Sequence, residues 1–112
     1  MEINPRFQGS LECVERVLGV DLVEMHVAAC TCDSLPENEL KPEKFCTRLI
    51  LYAPQRICAP DLMINNLRDI PHPGDIIEAG EPLCSVISEG KSRTASLHES
   101  QKLADRIYRS ID

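Results

Sequence analysis

Glu2, Asn4 and Arg6 stand two residues apart within Glu2-Ile3-Asn4-Pro5-Arg6-Phe7. In an extended backbone, residues i and i+2 share a face with Cα atoms roughly 6.5–7 Å apart. The Glu2 carboxylate and the Asn4 amide oxygen would then converge. Two such oxygens suit a hard cation, since Mg²⁺ takes oxygen ligands at about 2.0–2.1 Å and usually keeps waters and substrate phosphates in its shell. Arg6, on the same face, could meet those phosphates with a planar fork of donors. Pro5 fixes its own φ and biases Asn4 toward the extended form. Asn-Pro is also a common turn opener, so these three residues carry phosphate chemistry only if the elements behind them position them for it.

A second cluster is His26, Cys30 and Cys32. His26 and Cys30 are four apart and would share one face of a helix, with Cys32 just beyond. Structural zinc prefers two Cys-x(2–4)-Cys or His-x(3–5)-His half-sites. No Cys-x-x-Cys occurs here. Six cysteines could pair in about 15 ways, but the sequence opens without the charged and apolar blocks of a signal peptide. A cytoplasmic chain with six free thiols is therefore expected, with Cys13, Cys30 and Cys84 as small apolar residues among Val14, Val17, Leu18, Ala28, Ala29, Leu83 and Val86. His72, between two prolines, reads as a loop residue, and His98 falls in the first turn of the last helix. No Ser-His-Asp order with a nucleophile-elbow glycine is present, so hydrolase chemistry has no template.

The balance of 12 Lys+Arg against 18 Asp+Glu gives a formal charge of −6 over 112 residues. An acidic surface without a basic cluster lacks the phosphate neutralisation that nucleic-acid binding needs. No apolar run approaches the roughly 20 residues needed to cross a bilayer. Neither nucleic acid nor membrane is expected as a partner. The length sets one domain as the limit. With Phe7, Phe45, Tyr52 and Tyr108 as its aromatics, the core must be built from Leu, Ile, Val and Cys.

The elements that would position Glu2, Asn4 and Arg6 are a short strand end and two helices. Ser10 can cap a helix to Leu18, with Leu11, Val14, Val17 and Leu18 at helical spacing and Gly19 as the stop. Asp21, with Glu24 three residues on, can cap a second helix to Cys30 whose stripe is Leu22, Met25, His26 and Ala29. Residues from Asp33 to Lys44, with Pro36 and Pro42, read as a loop and hinge. Phe45 to Ala53 is β-branched and aromatic and reads as a strand, Arg56 to Ala59 as a short one ended by Pro60, and Leu83 to Ile87 as another. Pro71, Pro73, Gly74, Gly80, Pro82 and Gly90 punctuate a tightly turned β unit around Ile76-Ile77. Ser96 and Glu99 make a capping box for a last helix to Ile111, with Leu97, Leu103, Ala104, Ile107, Tyr108 and Ile111 inward. Gly90-Lys91-Ser92 reads as a turn into that helix. The fold class is α+β.

In order and residues, Glu-Ile-Asn-Pro-Arg-Phe, then Gly9-Ser10, a helix, Gly19-Val20-Asp21-Leu22 and a second helix resemble the end of the ATP-grasp catalytic domain, as in the large chain of carbamoyl-phosphate synthetase and in biotin carboxylase. The resemblance covers roughly residues 1–32. It implies that Glu2 and Asn4 bind the Mg²⁺ ions bridging the phosphates of ATP, and that Arg6 stabilises the transferring phosphoryl group or an acyl phosphate. The stretch from Asp69 to Leu83 looks like the hammerhead turn of the small β-rich tail in biotin-carboxylase-like members. A paired Gly-x(5)-Gly also marks biotinyl and lipoyl carriers, but Lys91 lacks their Met-Lys-Met-like setting. The resemblance thus implies residues 1–44 as the end of an ATP-grasp domain and 45–112 as a β-rich tail with a closing helix. The nucleotide-binding strands, phosphate-holding lysines, glycine-rich loop and upstream acidic ligand of that family would precede residue 1. The expectation is the C-terminal portion of an ATP-dependent ligase or carboxylase that activates a small-molecule carboxylate, inactive without its N-terminal ATP-grasp partner. The alternative is a non-catalytic module docking on a partner subunit or forming a homodimer.

Overall fold

The computed structural model describes residues 1–111. Helix α1 (Leu11–Leu18) begins after Ser10 and ends at Gly19, whose φ of 65° lets its N–H reach Glu15 O at 2.8 Å. Glycine adopts this left-handed form without the Cβ penalty of other residues. Ser10 stands at the cap position as expected, but its backbone is already helical and its side chain makes no capping bond. Helix α2 (Leu22–Cys32) is capped by Asp21, whose carboxylate accepts from the Glu24 N–H at 3.0 Å. It runs two residues past the expected end at Cys30. Thr31 continues it by donating from Oγ1 to Val27 O at 2.8 Å, satisfying its hydroxyl within the helix. Residues 33–44 form the expected loop.

Strands β1 (Phe45–Tyr52), β3 (Leu67–Arg68) and β5 (Pro82–Gly90) form an antiparallel sheet in the order β1-β5-β3, while β2 (Ile57–Cys58) pairs with β4 (Ile76–Ile77). Opposed residues share a face. The register pairs Thr47 with Ser88, Leu49 with Val86 and Leu51 with Cys84 on one face, and Cys46 with Glu89, Arg48 with Ile87 and Ile50 with Ser85 on the other. Helix α3 (Arg93–Ser110) covers the first face and α1 crosses part of the second. The core lies between the first face, α3 and the β2–β4 ribbon, around Leu51, Leu62, Ile77, Leu83, Val86 and Ile107. Gly74 and Gly80 have φ of 94° and 84° and turn the chain into β4 and β5, as expected of the turn formers around Ile76-Ile77. Gly80 N–H then bonds Ala53 O at 2.8 Å, clamping the turn to the end of β1. The architecture is α+β. No helix among the described residues is long and apolar enough to cross a membrane.

Several boundaries depart from expectation. The last helix starts at Arg93, because Ser92 has extended angles and its hydroxyl accepts from the Ala95 N–H at 3.0 Å. Ser96 therefore lies inside the helix, fully buried, where its hydroxyl meets Thr47 Oγ1 at 2.6 Å and donates to Ser88 O at 3.3 Å. Leu97 lies outward, at 38% exposure, and the inward stripe is Ser96, Ser100, Ala104 and Ile107. Cys30 is exposed, Cys13 half-buried and Cys84 buried, so the small-apolar reading fits Cys84 and fails for Cys30, which lies on a helix that buries no residue. The expected strand end over Glu2 to Asn4 pairs with no strand among the described residues. A lone extended segment has no ladder to hold it, and Arg6 N–H instead closes a turn onto Asn4 O at 2.9 Å.

Candidate functional site

Asn4, Pro5, Arg6 and Phe7 line a cavity of about 460 Å³ whose far wall is His26 of α2. The turn at Asn4–Arg6 is braced by Gln8, whose Nε2 donates to Arg6 O at 3.2 Å. Phe7 meets the His26 ring edge to face, with centroids 6.1 Å apart and planes at 76°. Offset or edge-on geometry of this kind is favoured by the aromatic quadrupole. The structure thus brings Asn4 and Arg6 together, while Glu2 is exposed and outside the residues lining the cavity. Among the described residues neither Glu2 nor Arg6 enters an ion pair.

The segment is fastened to the rest of the chain by Arg48. From β1, its Nη1 donates to Gly9 O at 2.5 Å and its Nη2 to Asp69 Oδ2 at 2.6 Å. Asp69, at φ 55°, also accepts from the buried Ser85 hydroxyl at 3.0 Å. One guanidinium therefore joins the end of the Glu2–Gly9 segment to two strands of the sheet. The buried Nε of Arg48 has no hydrogen-bond partner. Helix α1 is tied by a second network in which Glu12 meets Arg68 at 2.5 Å and Arg16 at 3.1 Å, while Glu89 meets Lys44 at 2.6 Å and Arg16 at 3.3 Å. The Arg68 hydrogen bonds hold the Glu12 carboxyl below the ordinary carboxylate range, with Arg16 adding to the effect and burial opposing it. Lys44 does the same for Glu89, again with Arg16.

His26 Nε2 lies 3.8 Å from Cys30 Sγ, as their four-residue spacing implies. Cys32 does not complete a site, and no group of three or more His, Cys, Asp or Glu among the described residues could hold a metal ion. Helix geometry explains this. Positions 26 and 30 are in line, whereas position 32 is rotated by about 200° from 30 at 3.6 residues per turn. The role of Arg48 and the place of His26 on the cavity wall had no signal in the sequence, because each depends on a contact between residues far apart in the chain.

No family model matches the chain, and no solved structure matches it. An uncharacterized protein of Methanocaldococcus jannaschii is 32% identical over 89 residues, which are 80% of this chain and 22% of that protein. The chain spans about a fifth of the length of this curated relative.

Proposed function

We propose that the chain is the C-terminal portion of an ATP-grasp ligase or carboxylase, with residues 1–44 ending the catalytic domain and 45–112 forming its β-rich tail. The observation that carries the reading is order. The Glu-Ile-Asn-Pro-Arg segment, a turn where the resemblance implies a strand end, is followed by α1, a left-handed Gly19, Asp21 as a helix cap and α2, the helical part of the succession that the ATP-grasp resemblance implies. The donor types also fit. A carboxylate and an amide oxygen suit Mg²⁺, although two oxygens leave most of an octahedral shell to other groups. Glu2 and Asn4 would hold the metal, which when bound neutralises charge on the phosphates of ATP. Arg6 would hold an anionic oxygen of the transferring group in place by its fork of donors. Its charge would stabilise negative charge that grows as the phosphoryl group moves to the carboxylate. The cytoplasm is the compartment this reading implies.

In a polypeptide carrying the complete ATP-grasp domain, Glu2→Ala or Asn4→Ala should lower turnover by about 10²–10³, the usual cost of removing one well-placed electrostatic group. The unfolding midpoint should not move, since both side chains are exposed. Wild-type turnover in either variant at saturating Mg²⁺ would overturn the assignment.

A docking module is the second reading, and exposed apolar surface favours it. Val23 and Val27 of α2 are 42% and 53% exposed, and Ile50 and Tyr52 of β1 are 48% and 50% exposed. Sedimentation equilibrium distinguishes its homodimer form: a monomer at the highest soluble concentration would exclude self-association as the use of these faces.

A further inference from the structure

We infer that His26 and Arg6 form a subsite for an anionic oxygen group, a carboxylate or a phosphate, carried on a small body that rests on Phe7 and Pro5. The inference rests on the ligase reading only in taking this anion to be part of the reacting substrate. Although the chain has 18 acidic residues and a net charge of −6, no carboxylate lines the cavity of about 460 Å³. Its polar groups are the Arg6 guanidinium, the Asn4 amide and the His26 imidazole, and its remaining wall is Pro5 and Phe7. A cation and donors beside an apolar floor select a negative oxygen on an organic frame.

The two key groups come from separate elements and line the same cavity. Phe7 fixes the His26 ring by its edge-to-face contact, and Arg48 secures the segment at Gly9 O. Cys30 engages Nε2 of the ring through sulfur, a weak partner, and among the described residues Nδ1 has no hydrogen-bond partner. Arg16, Arg48, Arg56 and Arg68 are neutralised in ion pairs, whereas Arg6, like Arg93, Arg106 and Arg109 of α3, is not paired among the described residues. The position of His26 on α2, one helix away from Arg6, makes it the group that would contact the ligand from the opposite side.

Nuclear magnetic resonance of the histidine rings in the 112-residue chain provides the test, without metal or nucleotide. At constant pH and ionic strength, titration with acetate in one arm and inorganic phosphate in the other should shift the His26 signals along a saturating curve. A dissociation constant on the order of 1 mM fits so small a contact set. The arm that saturates first identifies the anion. His72 and His98, both exposed and remote from the cavity, serve as internal references. Arg6→Gln should weaken saturation at least about tenfold, and His26→Gln should abolish the corresponding shift of the Asn4 side-chain amide. Equal, non-saturating shifts at all three histidines, or unchanged binding in Arg6→Gln, would overturn the inference. Since Glu2 does not line the cavity, a normal anion curve combined with wild-type turnover of Glu2→Ala would defeat the ligase reading and leave the subsite standing.

Discussion

Arg48 shows at the residue scale how one side chain can fix a distant segment. Its guanidinium bonds Gly9 O and Asp69 together, a geometry a lysine ammonium cannot reproduce because it lacks the planar fork. Arg48→Lys should therefore cost about 1 kcal/mol in urea unfolding, the usual net worth of one intramolecular hydrogen bond, and should raise hydrogen exchange at the amides of residues 6–9. A variant with unchanged exchange would show that the segment is held by something else. The cysteines separate by environment in the same way. Burial pushes the Cys84 thiol up to about 11, with the Asp69 charge adding to it, and burial beside Cys13 pushes Cys46 to about 12. Only the thiolate is nucleophilic, and at pH 8 a thiol titrating near 11 is about one part in a thousand ionised and one near 12 about tenfold less. Iodoacetamide at that pH should label the exposed Cys30, Cys32 and Cys58 first and Cys46 and Cys84 last. Recovery of any disulfide after alkylation without reductant would contradict six free thiols.

Elements meet most closely where β5 runs into α3. A Cβ built on Gly90 would lie 2.6 Å from the Ser96 amide nitrogen and 3.0 Å from the Ala95 carbonyl carbon, both backbone atoms with no room to yield. Gly90→Ala should destabilise by about 1–3 kcal/mol, the usual cost of overpacking, and calorimetry would register it. Helix α1 is held by charge, and its contribution depends on pH. Glu12 and Glu89 both titrate below their ordinary value of 4.5 when folded. The stability they add is complete above that value and is lost as pH falls through their folded values. Glu12→Gln should flatten the acid limb of the unfolding curve, and an unchanged limb would mean that these pairs contribute nothing. The sequence made the elements themselves readable where one pattern dominates: the Gly19 stop, the Asp21 cap and the β-branched, aromatic run of β1 all stand where local chemistry places them. Its capping-box pattern points to Ser96, whereas Ser92 caps α3. Both are serines ahead of an apolar stripe, and the choice is made by Thr47 and Ser88 across the sheet, which engage the Ser96 hydroxyl. For the same reason Glu2, Asn4 and Arg6 stood out by residue type and spacing, while the His26 wall and the Arg48 tether did not.

For the whole molecule, burial is distributed unevenly. Every residue of the core cluster falls between Leu51 and Ile107, and neither α1 nor α2 buries a single residue. Two consequences follow for the isolated chain. It should not bind Mg·ATP with a dissociation constant at or below about 10 μM, worth roughly 7 kcal/mol, because Glu2 and Asn4 are exposed and supply two oxygens to a cation that dehydrates reluctantly. Titration calorimetry giving tighter binding would mean that a complete nucleotide site exists within it. The second consequence concerns folding. A chain of residues 45–112 retains both sheets, α3 and the entire core cluster, and loses the ion pairs to Glu12, Arg16 and Lys44 together with the cover that α1 gives to the second face of the sheet. Exposing one fully buried aliphatic side chain costs about 1.5–3 kcal/mol, a loss that lowers a cooperative transition without removing it. Residues 45–112 alone should therefore melt cooperatively at a reduced midpoint, with the circular dichroism of one long helix and a sheet. A broad, non-cooperative melt would show that α1 is integral to the fold, and the boundary near residue 44 would have to be withdrawn.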